Sequence, residues 1–434
     1  MIWLPSPVLI WIIVPRYLYT LLYTLLLPIF VARLWWRGRV NPGYRQRISE
    51  RFGIIPHRPA ANGLWIHAVS VGETLAAAPL VRRFMLQHPN VPVIVTTTTP
   101  TGSEQVKRLF GESVFHMYLP YDVPLFLTRF INKLRPGLLI IMETELWPNL
   151  LASCAKHRVP VMLANARLSE KSAQGYQKFS KLTGPMLSQL SLVAAQNADD
   201  GQRFLALGLA ENKLDVTGSI KFDVTVPAGI SAKGAELRRQ WGSERRVLAL
   251  ASSHPGEDER LLDLYPQLLK ACPDLLLMLI PRHPERFEAV TNAVRSRGLR
   301  VQRRSNGPAT KTTQVYVADS MGEMLQLLAA ADVVLMGGSL IERGGHNPIE
   351  PAALGKATLI GPNYTNFAAI VDTLVEAEAL AVVDADDGLL AGLQTFLADP
   401  ERCAAMGRNA QQTVDANRGA VEHLSDIAAG FLRL

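Results

Sequence analysis

The sequence predicts an α/β protein of two Rossmann-like domains facing across a cleft, preceded by an apolar amino-terminal membrane helix. Short apolar runs alternate with helical stretches along most of the chain, the pattern of parallel strands buried on both faces. The series occurs twice, interrupted near residues 224–240. Ahead of both lies a nearly uncharged segment, followed by a collar of arginines.

The 434 residues suffice for two α/β domains and an appendage. A hydrophobic content of 48% against 19% charged residues excludes a disordered chain. Cys154, Cys272 and Cys403 are scattered and never form a CxxC pair, which argues against a disulfide framework or a zinc site and suits a reducing compartment. The net charge of +7 is unevenly placed. Residues 1–60 hold eight arginines and one acid, Glu50, so the whole excess lies there and the remainder is formally neutral. A nucleic-acid partner is therefore not expected, because its footprint would spread over a folded domain. Basic residues beside an apolar segment instead read as attraction to anionic lipid headgroups.

Within residues 2–32 the one charge is Arg16. The stretch 17–32 would rise roughly 24 Å as a helix, a little under the hydrocarbon thickness. A cleaved signal peptide fits poorly, since there is no basic leader and no small-residue cleavage site. The arginines that follow place the remainder on the cytoplasmic side, and Trp35 and Trp36 suit the interface. Residues 1–40 are expected to be an uncleaved anchor with its basic collar.

Strands are expected at 63–69, 91–97, 137–142, 159–164 and 190–195, with helices at 73–88, 102–110, 122–134, 148–157 and 199–207. These form an amino-terminal Rossmann-like domain over 41–225. A linker with a helix in its second half covers 224–240. Strands at 247–252, 275–281, 299–303, 315–319, 333–338, 357–361 and 380–384 then make a carboxyl-terminal Rossmann-like domain over 226–434, whose last helix is expected to pack back on the first domain. In open α/β sheets ligands bind at the carboxyl ends of the strands, so functional residues should follow strands.

In HAVSVGET (67–74), Ser70 and Glu73 form a capping box at a helix start, which accounts for both structurally. The functional reading of that position is a carboxylate on a turn permitted by Gly72, able to take a proton from an attacking hydroxyl. A helix start is expected to lower its pKa and keep it ionised. Glu143 and Glu145 leave a strand end two residues apart and share a face of extended chain. Two acids there need a cation or hydroxyls; a surface ion pair or a cap is the alternative. Arg167 and Lys221, in polar loops after strands, are candidates to meet phosphate or carboxylate, although lone basic loop residues are usually solvated.

In the second half, Pro281 and Arg282 follow a strand. Arg282 suits an oxyanion bidentately, the alternative being a rim arginine paired with Glu285. The segment 337–362 is the most specific: paired glycines permit close backbone approach, and free amides at the start of a helix around 348–355 make an anion site. Glu350 there is placed to accept from ribose hydroxyls. Gly322, Glu323 and Met324 open another helix. No Walker loop, GxGxxG, HExxH or nucleophile elbow occurs. Asp384 and Asp386 read as a cap and not a metal site.

Taken in order, HAVSVGETLAA, TTTTPTGSE, YLPYD, METELWPNL, ANARLS, AAQN, VTGSIKFD, PRHPERF and GGSLIERGGHNPIEPAA resemble the Kdo (3-deoxy-D-manno-octulosonic acid) transferases of lipopolysaccharide biosynthesis, over residues 33–365. The resemblance implies the B-type glycosyltransferase fold and an inverting, metal-independent transfer of Kdo from CMP-Kdo to a tetra-acylated lipid A precursor, lipid IVA. It needs no cofactor and takes place at the cytoplasmic face of the inner membrane. It assigns the general base to Glu73. Pro281 with Arg282, Gly322 to Met324, and Asn347, Pro348, Ile349 and Glu350 match its CMP-binding segments. Ser70, Gly72, Glu143, Glu145, Arg167 and Lys221 are then candidates to contact acceptor or sugar. It implies no particular protein partner. A sugar-nucleotide epimerase shares the architecture, but a soluble substrate gives no reason for an anchor. A non-catalytic membrane scaffold is the third reading, and the complete loop around Glu73 argues against it.

Overall fold

The apolar runs fold as the central strands of two parallel sheets. The computed structural model describes residues 7–55, 59–384 and 387–434. It divides into two compact units, Met1–Asp223 with Arg418–Leu434, and Val224–Asn417.

Unit 1 opens with α1 (Pro7–Arg37) and two short 3-10 turns. There follow β1 (Leu64–His67), α2 (Val71–Gln87), β2 (Val93–Thr97), α3 (Pro100–Phe110), β3 (Phe115–Tyr118) and α4 (Pro124–Leu134). The series continues with β4 (Leu138–Met142), α5 (Pro148–Lys156), β5 (Val161–Ala166), α6 (Glu170–Lys178), α7 (Ser180–Ser188), β6 (Leu192–Ala195), α8 (Ala198–Ala206) and β7 (Leu214–Val216). The sheet order is β3-β2-β1-β4-β5-β6-β7, parallel throughout, with Ile66 opposite both Val95 and Ile140. Alternate residues of one strand serve opposite faces. Trp65 joins the α4 and α5 side, and Leu64 and Ile66 the α2 side.

Two edge strands and a helix pair escape the sequence reading. In β3 the first two residues are partly or fully exposed, with Phe115 41% exposed, and β7 is half-exposed along its length, so neither shows a continuous apolar run. None of the residues of α6 is buried, which removes the apolar stripe that would mark it as a helix.

Sequence chemistry also fixes the helix ends. Ser70, Thr99 and Asn197 each accept a backbone amide as N-caps of α2, α3 and α8. The start of α5 is capped from a distance, because buried Asp122 accepts the amides of Asn149 (3.1 Å) and Leu150 (2.8 Å). The same carboxylate accepts from Tyr19 Oη of α1 at 3.0 Å. Thr20 Oγ1 lies 3.0 Å from Asn149 Oδ1, and the Tyr23 ring meets Trp147 edge-on. One side of α1 is thus fastened to unit 1, while Leu18, Leu21, Leu22, Leu25 and Ile29 are each more than half exposed. Asp122→Ala is expected to strand two α5 amides and the Tyr19 hydroxyl, lowering stability by about 2–4 kcal/mol in urea unfolding.

Unit 2 comprises α9 (Ile230–Trp241), β8 (Val247–Ser253), α10 (Glu257–Ala271), β9 (Leu276–Pro281), α11 (Phe287–Ser296), β10 (Val301–Arg303) and β11 (Val315–Val317). It continues with α12 (Met324–Ala330), β12 (Val333–Met336), α13 (Ile349–Ala353), β13 (Ala357–Ile360), α14 (Ala368–Glu376), β14 (Ala381–Val382), α15 (Asp387–Ala398) and α16 (Pro400–Ala416). Its parallel sheet runs β10-β11-β9-β8-β12-β13-β14. After α16 the chain returns to unit 1 as α17 (Ala420–Leu432). There Ala420, Val421, Leu424 and Ala428 pack in the same cluster as Leu80, Val81 and Phe84 of α2. Asp223 accepts the amides of Gly419 (2.7 Å) and Val421 (2.6 Å) at the point of return.

Strand order reverses between β1 and β4 in unit 1 and between β8 and β12 in unit 2. Such switch points leave a crevice at the carboxyl ends of the strands. The loops there are 68–70 and 143–147 in unit 1, and 254–256 and 337–348 in unit 2.

Candidate active site

Glu73 sits at the third position of α2, directly above the unit 1 switch point. Its Oε2 accepts the Val69 amide at 2.8 Å and its Oε1 accepts Ser70 Oγ at 2.8 Å. Ser70 Oγ accepts the Glu73 amide at 3.4 Å, so the expected cap is present, but the reciprocal half of a capping box is not: Glu73 takes the Val69 amide in place of that of Ser70. These bonds orient the carboxylate without exhausting it. Each oxygen has two lone pairs and uses one. Glu73 is only 8% exposed. Burial pushes its pKa up to about 7, the Val69 and Ser70 bonds hold it down, and Glu145 and Glu143 push it further up. This corrects the sequence expectation, in which the helix start dominates and lowers the pKa. The desolvation penalty and two neighbouring acids outweigh the helix start. A Cβ added at Gly72 would meet nothing closer than Ser70 Oγ at 3.8 Å, so the space beside Glu73 is open.

The acids of METELWPNL belong to the same group. Glu143 adopts a left-handed backbone, φ 57°, with its amide donating to Ala164 O at 3.0 Å. A non-glycine residue held there carries strain of the kind that accumulates at functional loops. Thr144 Oγ1 donates to Arg167 O, which ties this loop to the one after β5. Burial raises the pKa of Glu145, with Glu143 adding to the shift. Burial lowers that of Lys221, opposed by the charge of Glu143 and reinforced by that of Arg167. Glu73, Glu143, Glu145, Arg167 and Lys221 are thus brought together from four loops. Asn165 completes the support and was missed from sequence. It is fully buried at φ 53°, and its Oδ1 accepts the Ile220 amide at 3.2 Å, holding the turn that carries Lys221.

In unit 2 the loops after β8 and β12 are joined by Glu257, which is fully buried. Its Oε2 accepts the amides of His254 (2.9 Å) and Gly338 (2.8 Å); its Oε1 accepts those of Ser339 (3.2 Å) and Leu340 (3.1 Å). Asp258, also fully buried, accepts Ser253 Oγ at 2.6 Å and pairs with Arg286 at 2.6 Å. Arg286 donates in turn to Ser253 O at 2.8 Å, so the β9 loop is bound to the β8 loop. A Cβ at Gly337 would lie 2.5 Å from Ser252 O, so this glycine is required for close approach of the two backbones.

Arg282 is exposed and makes no ion pair with Glu285 among the described residues. Its charge instead opposes the burial-raised pKa of Glu350 and contributes to lowering that of His346, so the three share a neighbourhood. The helix expected around 348–355 is shorter, Ile349–Ala353. Asn347 Oδ1 takes the Ile349 amide at 3.1 Å, while Pro348 and Pro351 have no N–H. Fewer amides are therefore free for an anion than the sequence suggests. Gly322 has φ 83°. Glu323 is held by Arg304 at 2.8 Å and by Ser320 and Gln326, with Arg304 drawing its pKa down to about 2. That carboxylate fixes the turn ahead of Met324, the first residue of α12. Of the Asp384–Asp386 pair, Asp386 lies outside the described residues.

Two parallel α/β units with crevices at their switch points define the class. The chain resembles the structure of a glycosyltransferase from Rickettsia africae at a TM-score of 0.55 and 12% identity, covering 86% of this chain and 100% of that one. It resembles the UDP-GlcNAc 2-epimerase from Neisseria meningitidis equally, at 0.55 and 12%, covering 86% and 99%. At such identities the likeness is one of fold alone, the B-type glycosyltransferase fold. Residues 46–224 match the family model for 3-deoxy-D-manno-octulosonic-acid transferase. The 3-deoxy-D-manno-octulosonic acid transferase of Haemophilus influenzae is 40% identical over 421 residues, 96% of this chain and 99% of that relative. This chain belongs to the Kdo transferase family and is a glycosyltransferase.

Proposed function

We propose that this enzyme transfers Kdo from CMP-Kdo to lipid IVA with inversion, unit 1 supplying the base and unit 2 holding the donor. The observation that carries the reading is the state of Glu73: a buried carboxyl with one lone pair free on each oxygen and a pKa of about 7. A base serves best when its pKa lies near the working pH. Glu73 removes the acceptor hydroxyl proton as that oxygen attacks the anomeric carbon of Kdo. CMP departs with its phosphate charge met by Arg282, without a metal ion. Lys221 and Arg167 are suited to anionic groups of acceptor or sugar, and Glu143 and Glu145 to hydroxyls.

The segment Pro15–Arg37 is long and apolar enough to cross a membrane, with mean hydropathy 1.6. We propose that it holds the enzyme at the cytoplasmic face of the inner membrane, where an acylated acceptor resides. The fastening of Tyr19 and Tyr23 to unit 1 favours a helix lying in the interface, its leucine-rich side towards acyl chains and its arginines towards anionic headgroups.

Incubation of purified protein with labelled CMP-Kdo and lipid IVA, followed by mass spectrometry of the lipid, tests the reading. Transfer predicts labelled lipid; label remaining on soluble sugar nucleotide would discard it. The pH dependence follows from the Glu73 shift. Above about 7 the base is ionised and, with donor saturating, kcat/KM for the acceptor is flat. Below it the rate should fall about tenfold per pH unit. An acid limb near 4.5, the ordinary glutamate value, would show that the buried carboxyl is not the base.

A further inference from the structure

We propose that His254 and His346 of unit 2 act as a pair that takes up one proton when the nucleotide phosphate binds and keeps that positive charge beside the leaving group. The inference rests on the donor reading above and assigns to two residues a role that reading does not use.

The geometry comes first. His254 lies in the loop after β8 and His346 in the segment after β12, on the two sides of the unit 2 switch point. Their Nε2 atoms are 2.8 Å apart, with the rings parallel to within 4°. A nitrogen–nitrogen contact of that length is a hydrogen bond, so one ring donates Nε2–H and the other accepts through a lone pair. A neutral ring carries one proton. The donating ring therefore has a bare Nδ1, and the accepting ring has Nδ1–H. Neither Nδ1 bonds to another side chain or backbone group among the described residues. One added proton converts the bare Nδ1 into a second N–H donor and leaves the bond between the rings intact. A second would set two N–H groups head to head. The pair therefore has capacity for one extra proton.

The site around the pair is built to hold it. Gly338, at φ 69°, leaves the space it occupies: a Cβ there would lie 3.1 Å from His346 Cδ2 and 3.6 Å from His254 Cδ2. Gly338 O accepts the Gly345 amide at 2.8 Å, and Gly337 O accepts that of His346 at 3.2 Å. Glu257 fixes the amides of both His254 and Gly338.

Burial first, and the charged surroundings after it, explain why the proton waits for a ligand. His254 faces the carboxylate of Glu257, which favours protonation, and His283, Arg343 and Arg286, which oppose it. His346 faces His254, Arg282 and His283, all opposing. Burial is the larger cause, and together with these charges it lowers the pKa of His346 to about 4 and lowers that of His254. Burial and a cation-rich lining thus keep the imidazoles neutral. A phosphate reverses the balance. During transfer the bond between the anomeric carbon and the phosphate oxygen breaks, and its electron pair stays on oxygen. The phosphate changes from a singly charged diester to a doubly charged monoester, while the acceptor proton goes to the base. A cation on the pair therefore meets a charge that grows along the reaction.

Calorimetric titration of the full-length protein with CMP at pH 7.5, in buffers of different ionisation enthalpy, counts protons directly. Uptake of about one proton per CMP is expected, and His346→Gln and His254→Gln should abolish it and weaken CMP binding about tenfold. Binding without proton exchange overturns the proposal. So does uptake that persists in both variants, since the proton would then sit on the ligand. Should either variant not fold, the imidazole carbon shifts of 13C-histidine in the wild type, with and without CMP, decide the same question; two neutral rings in the bound state would overturn it. Absence of any CMP binding would remove the donor reading, and this inference with it.

Discussion

Glu73→Gln is expected to leave CMP binding unchanged and to slow Kdo transfer by about 10²–10⁴-fold, the usual contribution of a positioned base. Gln has nearly the same shape and keeps one carbonyl oxygen for Val69 or Ser70, so the loop should survive. What it lacks is a lone pair basic enough to take a hydroxyl proton. Stability provides a second readout. The carboxyl is raised to about 7 in the folded protein from an ordinary 4.5, so its favourable contribution is full below 4.5 and lost as pH rises through 7. The variant does not titrate there, so its melting temperature should gain on the wild type across that interval. Near-normal turnover, with unchanged CMP affinity, would remove Glu73 from the mechanism.

Glu257→Ala should have the largest effect on stability. Four buried or part-buried amides share this one carboxylate. Removing it leaves donors from two loops without an acceptor. A loss of about 3–5 kcal/mol is expected for breaking such a network, which in a unit of this size lowers the melting temperature by roughly 10 °C. Donor binding should fall as well, because His254 and Gly338 lose their common support. Scanning calorimetry with and without CMP separates the two effects. An unchanged transition would mean that water or another side chain satisfies these amides.

The positions of these two carboxylates explain what the sequence could and could not reveal. Central strands such as β1, β4, β8 and β9 are legible because both faces are buried and, His67 apart, every residue is apolar or small. Edge strands β3 and β7 are not, since solvent replaces one side of the pattern. Glu73 was readable as a candidate because its loop combines a cap with an odd carboxylate at a strand end. The sign of its pKa shift was not, because burial and the approach of Glu143 and Glu145 come from a loop some seventy residues away. Glu257 and Asp258 read as ordinary first-turn acids that favour a helix start. Only the fold shows that both are fully buried and bind other loops. Arg286 is hidden for the same reason, since its partner Asp258 lies 28 residues before it.

The contact between Asp223 and the amides of Gly419 and Val421 gives the chain an unusual grammar. Residues 224–417 are a guest sequence set inside a host, and the host's two cut ends already touch. Excising the guest calls for little more than a short glycine-serine join, whereas trimming the final fifteen residues would strip α17 from the host's interior. An exchange of guests could therefore proceed by recombination at a single point in space without opening either core.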